Sequence, residues 1–514
     1  MAQNRHKLHV TLVRGPIVSS ANAINNEATP SIAFAYISAY LLGKGYRVAV
    51  VDAVAEGLNT VWPLRAYPGY QCQGLTFEEI IRRIPANTDV IGFSAMFSGE
   101  WPVIRELINS VRRCFLKPLI VTGGEHITAL SEYSLQDCPA LDVCVRGEGE
   151  HTFFELLECY GETGDFSNVD GIAFRDSSGS CIVNAGLPRI RKIGEIPRPH
   201  WPKGYLEKYW RAGKSYGVKS ERDMPIMASR GCPYRCTFCS NPQMWTTRYI
   251  LRDPEDVVSE IKSYIDRYDI TGLQFYDLTA VIKKRWAVDF CNMLLKEGIR
   301  LKWSLPSGTR SEALDEEVLG LFKETGCSYL VYAPESGSPE TLERIRKKIS
   351  LPKFTKSVLL ARRLGVQLRI NLIIGFPHET RRDVFATIAY GLKLAVRGVD
   401  EVSINIFSPY PGTEIFAGLA ESGRISINDA YFLRLTSLNS DYTATNPITV
   451  NEFMGSKELA FYRLSFMLLN YGIGYLIYPW RILRTIRNVF WGKETATVLE
   501  HRLKDAFKNR TRTT

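Results

Sequence analysis

Along the first 165 residues, short runs rich in apolar residues alternate with segments whose apolar residues recur every three or four positions. Residues 8–13, 47–52, 90–94, 119–122 and 143–145 are runs of the kind a parallel strand buried on both faces requires. Residues 32–42, which stop at Gly43, and residues 103–114 and 152–157 have helical spacing. Strand and helix in alternation predict a doubly wound α/β domain over 1–165.

Between 166 and 215 the pattern breaks. Residues 170–175 and 182–184 flank Asp176-Ser177-Ser178-Gly179 and predict a small hairpin. Three prolines within 196–202 then predict a stiff connection between domains. From 216 to 440 the alternation resumes as six units. Their strands are expected at 225–229, 272–276, 301–305, 328–332, 367–374 and 401–407, with helices at 254–267, 286–295, 315–323 and 382–394. Six units are too few to close an eight-stranded barrel, so an open partial barrel is expected, with its site at the carboxyl ends of the strands. Residues 441–514 read as a small helical region, with helices at 461–471 and 475–491.

Composition changes this picture little. A chain of 514 residues, 45% hydrophobic and 23% charged, is ordinary for two or three globular domains and excludes general disorder. The first seven residues lead into a strand without an apolar signal core, and eight of the eleven cysteines are scattered, which points to a reducing cytoplasm. No apolar run reaches the length of a membrane span.

Charge adds one feature. The net +10 is concentrated at the end, where residues 481–514 hold nine Lys and Arg against three Asp and Glu, a net +6. Arg481, Arg484 and Arg487 recur every three residues and share one side of a helix. Such a helix can lie on an anionic membrane surface, or it can pack its apolar side inward and leave its basic side in water, and the second arrangement is expected. No basic and aromatic interleaving of a nucleic-acid reader is evident.

The chemistry centres on Ser229-Arg230-Gly231-Cys232-Pro233-Tyr234-Arg235-Cys236-Thr237-Phe238-Cys239. Three thiolates in one short loop suit a soft metal centre. Structural zinc wants four ligands, yet no Cys or His lies between Cys239 and Cys291, and the nearest upstream is His200. A 4Fe-4S cluster on three cysteines instead leaves one iron open. A folding zinc, a disulfide and a fortuitous grouping are the alternatives.

This CxxxCxxC spacing, with Phe238 before the last cysteine, resembles the signature of radical S-adenosylmethionine (SAM) enzymes. The resemblance implies a cluster on Cys232, Cys236 and Cys239 whose open iron chelates SAM, and cleavage of SAM to a 5′-deoxyadenosyl radical. It implies SAM contacts at later strand ends: Asp277, Ser304, Arg310, Glu335-Ser336-Gly337, Asn371, Gly375 and Pro377. Pro409-Tyr410-Pro411-Gly412-Thr413 is expected to shape the pocket wall.

In the first domain, Gly123-Gly124-Glu125-His126 and Arg146-Gly147-Glu148-Gly149-Glu150 resemble the cobalamin-binding domain that precedes the catalytic domain in one radical SAM class. The contacts implied are Asp52, Gly57, Ser94, Met96, Gly123, Gly124, Glu125 and Gly147. The wider cobalamin fold has Asp-x-His-x-x-Gly, whereas this chain reads Asp52-x-Val54-x-x-Gly57, so no histidine ligand to cobalt is expected from that loop. His126 reads as a polar surface residue.

Together these imply C-methylation of an unactivated carbon, with cyclisation, ring contraction or oxidation as the alternative, since the pattern also resembles the anaerobic magnesium-protoporphyrin monomethyl ester cyclase group. A non-catalytic cobalamin or redox sensor is the alternative from another class. The implied partners are a small-molecule or lipid-like substrate and a reductant such as flavodoxin or ferredoxin.

Overall fold

The computed structural model describes residues 7–23, 28–214, 220–436 and 448–491, with 497, 499, 500, 503 and 504. The five apolar runs of the first domain are strands: β1 (His9–Arg14), β2 (Arg47–Asp52), β3 (Val90–Ser94), β4 (Leu119–Gly123) and β5 (Val143–Val145). They pair in parallel in the order β2-β1-β3-β4-β5. Helices α1 (Ile32–Gly43), α2 (Trp101–Cys114), α3 (Glu125–Asp137) and α4 (Gly149–Glu162) connect and cover them. The Ser31 side chain starts α1 by accepting from the Phe34 amide. Helix α2 turns Trp101, Ile104, Leu107, Ile108 and Val111 inward, the spacing of one helical face. Because β1 sits between β2 and β3, the crossovers leave it in opposite directions, and a crevice forms at the carboxyl ends of β1 and β3.

Two expectations about residues 166–215 are corrected. The hairpin β6 (Ile172–Arg175) and β7 (Cys181–Val183) belongs to this sheet, because β6 runs antiparallel beside β5. The proline-rich stretch is no spacer either. Ile196 and Trp201 are buried, and the His200 amide donates to the Ala35 carbonyl. A short helix, α5 (Tyr205–Arg211), follows and closes over the first sheet. A three-stranded sheet of Ile17–Ser20, Val61–Pro63 and Tyr70–Gln73 had no counterpart in the sequence pattern.

The second sheet is the expected open barrel of six parallel strands in chain order. These are β8 (Asp223–Ile226), β9 (Gly272–Phe275), β10 (Lys302–Thr309), β11 (Cys327–Glu335), β12 (Gln367–Ile374) and β13 (Glu401–Ile406). Around it lie α6 (Pro254–Tyr268), α7 (Lys284–Lys296), α8 (Glu316–Glu324), α9 (Leu351–Arg363) and α10 (Arg381–Val396). β8 stops at Ile226, and Ser229–Arg230 leave the sheet to pair with Ile250–Leu251. β10 and β11 run further than expected, through register shifts, so Glu335 is still a strand residue. Along β12, Leu368, Ile370, Leu372 and Ile374 enter the core shared with the helices. Arg369, Asn371 and Ile373 alternate with them and face the open interior.

The chain then returns to the first sheet through α11 (Glu414–Glu421) and α12 (Asp429–Thr436). Tyr431 and Phe432 share a core with Trp101 and Ile127. Arg105 of α2 pairs with Asp137 and Asp429, both at 2.7 Å. The two sheets are thereby joined by a common core.

At the end lie α13 (Ser456–Ile477) and α14 (Trp480–Phe490), divided at Pro479, so residues 475–477 finish the first helix rather than open the second. Helix α13 packs on α10 and β13, with Phe466 against Gly391. The orientation expected of the last helix is reversed. Arg481 is buried and donates to the Gly398 and Val399 carbonyls at 2.8 and 3.1 Å, and Arg484 pairs with Asp400 and Glu500, each at 3.2 Å. Trp480, Ile482, Leu483 and Ile486 face outward.

Candidate active site at the junction of the two sheets

The cysteine loop leaves the ribbon strand at Gly231, which has φ +79° and whose Cβ would lie 2.3 Å from the Arg248 carbonyl, so only glycine fits. Three contacts then fix its course. Thr237 donates its amide to the Ile345 carbonyl and accepts from the Ile415 amide, and the Asn241 side chain donates to the Cys232 carbonyl. Phe238 packs edge-on against Phe376, with centroids 5.7 Å apart. Arg310 stacks over the Tyr234 ring at 3.5 Å.

Cys236 and Cys239 line a cavity of about 400 Å³ with Gln243, Thr246, Arg346, Gly412 and Glu414. Loss of water raises the Cys236 thiol and pushes Cys239 up to about 12. Among the described residues no three His, Cys, Asp or Glu converge on a single ion. A cluster that gives each thiolate its own iron needs no such convergence. Three thiols on a pinned loop beside an open space fit a 4Fe-4S cluster with one iron left free.

The barrel residues expected to contact SAM fall into two sets. Several are taken up by the fold. The Asp277 carboxylate accepts from the Ala228 amide at 3.0 Å and the Ser229 hydroxyl at 2.5 Å, and burial raises its pKa to about 6. Ser304 is buried and bonded to Gln274. Ser336 is paired with Thr387, and a Cβ on Gly337 would strike Tyr390 and the backbone of α10. These residues hold the strand ends in place.

The others border the interior. Glu335 sits at φ +69°, strained for a residue with a side chain, and pairs with Lys347 at 2.9 Å. The Lys347 charge also acts on Cys236. Asn371 faces the interior and accepts from Arg369 and Ser403. Gly375, at φ +87°, starts a turn that Glu379 staples, its carboxylate accepting from the Gly375 and Phe376 amides at 2.6 and 3.1 Å. Pro377 is half-buried in that turn, and its carbonyl accepts from the Glu452 amide. Burial raises Glu379 to about 7. Neither Lys347 nor Glu379 was picked out from the sequence. The only signal for Glu379 is an acid four residues past Gly375.

At the first sheet, Ser94, Met96, Gly123, Gly124 and Gly147 come together at the carboxyl ends of β3, β4 and β5. Gly124, at φ +124°, brings its backbone so close to β3 that a Cβ would sit 2.5 Å from the Ala95 carbonyl. Met96 and Phe97 are exposed at this edge, the latter by 60%. A crevice at a strand-order switch, floored by glycine backbone and edged by apolar side chains, fits a large flat ligand.

Asp52 and Gly57 are not part of that floor. The Asp52 carboxylate caps a short helix through the Val54 and Ala55 amides and accepts from the Tyr205 hydroxyl at 2.6 Å. A Cβ on Gly57 would press on the Gly74 backbone at 2.6 Å. Val54 is fully buried. His126, expected at the surface, is buried in α3, stacked on Trp101 at 4.7 Å, with its ring nitrogens bonded to Ser98 and Ser134. Burial lowers its pKa to about 3. Neither Val54 nor His126 can serve as a cobalt ligand.

The crevice and the cysteine loop adjoin. Glu125, the first residue of α3, accepts a hydrogen bond from Ser240, directly after Cys239. Thr128 accepts from the Gly147 amide and contacts the Met244 sulfur at 3.3 Å. Gly412 wedges between Gln243, Ala129 and Ser240. Behind them is a buried ionic clamp. Arg230 reaches Glu148 at 3.2 Å and Glu150 at 2.5 Å, and Glu148 also pairs with Arg189 at 3.4 Å. The acidic stretch that resembled part of a cobalamin domain therefore also grips the residue two before Cys232.

Comparison with known proteins agrees with this division. The Radical SAM superfamily model matches residues 226–391 and the B12 binding domain model matches residues 26–157. The chain is a B12-binding radical SAM enzyme. An uncharacterized methyltransferase of Pyrococcus horikoshii is 29% identical over 80% of this chain and 82% of its own. The cytidylyl-2-hydroxyethylphosphonate methyltransferase of Streptomyces wedmorensis is 27% identical over 79% and 80%. In fold, this B12-binding radical SAM enzyme is similar to the radical S-adenosylmethionine methyltransferase TsrM of Kitasatospora setae, a structure with cobalamin and a 4Fe-4S cluster bound. That likeness covers 83% of this chain and 81% of that one, with 18% identity and a TM-score of 0.62. The two family models imply a 4Fe-4S cluster, SAM and cobalamin as cofactors.

Proposed function

We propose that this enzyme transfers a methyl group to an unactivated carbon of a small-molecule substrate in a reducing cytoplasm, drawing electrons from a reduced carrier such as a flavodoxin or ferredoxin. The observation that carries the reading is the adjacency of the two sites, since Glu125 and Thr128 of the crevice touch Ser240 and Met244 of the cysteine loop. When bound, the cluster and SAM supply a carbon-centred radical able to remove hydrogen from carbon, and cobalamin supplies a transferable methyl group.

The chain's own part is to place and shield. Cys232, Cys236 and Cys239 would hold the cluster. Glu335, Asn371 and the backbone of 375–377 border the interior where SAM would lie, while Asp277, Ser304, Ser336 and Gly337 keep the strand ends in register. Arg310 steadies the loop through Tyr234. Gly123, Gly124 and Gly147 would floor the cobalamin site, with Ser94 and Met96 at its edge, and the Asp52 loop offers it no histidine. The clamp around Arg230 excludes water behind the loop.

The test is anaerobic incubation of reconstituted protein with reductant, SAM and cobalamin. Methyl transfer predicts both 5′-deoxyadenosine and S-adenosylhomocysteine. The first alone supports cyclisation or oxidation, and neither supports a sensor.

A further inference from the structure

We propose that α13 and α14 form a landing surface for an anionic phospholipid bilayer, on which the protein lies without crossing it. From residue 464 through 480 the chain carries no Asp, Glu, Lys or Arg. Helix α13 buries Leu459, Phe466 and Asn470 on one side and turns Phe461, Leu464, Leu468 and Leu476 to the outside. Leu476 is 84% exposed and lies beside the α14 face, where Leu483 and Trp491 are 71% and 77% exposed. A water-facing helix normally shows the opposite arrangement. Apolar exposure that continues over two successive helices marks a surface made to be covered.

The occupant follows from the rest of the surface. Trp480 and Trp491 stand at the two ends of α14, with Tyr475 and Tyr478 beside it, and amphipathic rings of this kind settle at the headgroup level of a bilayer. The arginines that would make α14 repel an apolar environment are withdrawn: Arg481 and Arg484 bind Asp400, Glu500 and backbone carbonyls inside. The exposed Arg487, and Arg397 at the end of α10, supply positive charge at the rim. That charge is complementary to an anionic leaflet. No helix among the described residues is long and apolar enough to cross a membrane, so the contact is interfacial. This surface is separate from the cysteine loop and stands whether or not the chain transfers methyl groups.

The test is sedimentation of the full-length protein with vesicles of phosphatidylcholine alone and of phosphatidylcholine mixed with phosphatidylglycerol. The expected result is binding to the mixed vesicles, about tenfold or more weaker on the neutral ones and weakened by added salt. Leu476→Glu and Leu483→Glu are each expected to reduce binding roughly tenfold, with unchanged melting and unchanged SAM cleavage. Should either variant melt early, the wild-type vesicle series decides alone. Protein that stays in the supernatant with both vesicle types overturns the proposal. So does a stable dimer that Leu476→Glu separates, since a second copy would then cover the surface.

Discussion

Removing the Arg230 guanidinium probes the coupling between the first domain and the cysteine loop. Its side chain is 3% exposed, and those of Glu148 and Glu150 are 1% and 7% exposed. Arg230→Ala would leave Glu150 without that partner and Glu148 with only Arg189 and the Ile190 amide. Breaking a buried pair by deleting one member costs about 3–5 kcal/mol, because the remaining charge is stranded in a medium that solvates it poorly. Against a total stability of roughly 5–15 kcal/mol this is a large fraction. Burial already holds the Glu148 pKa above its ordinary value, with Arg230 opposing that shift. Loss of Arg230 therefore raises it further, and the destabilisation of Arg230→Ala grows as pH rises. The assay is anaerobic urea unfolding at several pH values, together with iron per chain after reconstitution. A companion carrying Arg230→Met and Glu150→Gln leaves Glu148 paired with Arg189 and strands no charge, so it recovers most of the stability yet still loads less iron. A loss under about 1 kcal/mol in Arg230→Ala with full iron loading would refute the reasoning.

His126 is held at about 3, below the ordinary 6.5, so the unfolded chain binds a proton that the folded chain refuses. Its contribution is complete above pH 6.5 and falls as the medium is acidified, by about 2 kcal/mol at pH 5; in His126→Phe, denaturant midpoints should lose that part of the pH dependence. Glu379 shifts the other way, from 4.5 to about 7, so the folded state keeps the proton longer and stability falls as pH rises between those values. Glu379→Gln should flatten that fall in thermal melts, whereas Glu379→Ala, which orphans two buried amides, should cost about 2–4 kcal/mol at any pH. Gly124→Ala drives a Cβ to 2.5 Å from the Ala95 carbonyl at φ +124°, and is expected to cost about 1–3 kcal/mol and to abolish retention of added cobalamin, measured by absorbance after gel filtration.

The parallel strands of the first domain were legible because burial on both faces forces continuous apolar runs, as at Val90–Ser94 and Leu119–Gly123. The cysteine spacing was legible because its chemistry is local. What escaped depends on distant partners. Glu148 and Arg230 are 82 positions apart, and nothing in either neighbourhood announces the other. Asp52 looked like a ligand contact, but its partner Tyr205 lies 153 residues away. The reversal of α14 escaped for a related reason: a basic stripe and an apolar stripe have the same period whichever one faces inward, and Asp400 and Glu500 decide the matter. The hairpin at Ile172–Arg175 was recognised, but its place on the sheet edge was not, since register with Val143–Val145 is set in three dimensions.

The central claim is that the cysteine loop and the glycine crevice lie side by side, close enough for their cofactors to interact. Its most direct measurement is electron paramagnetic resonance of protein carrying both the reduced cluster and cob(II)alamin. The account predicts that the cobalt signal is broadened by the neighbouring cluster and returns to its isolated form in Cys232→Ala, which keeps the crevice intact. Two signals that add without interaction in the wild-type protein would contradict it.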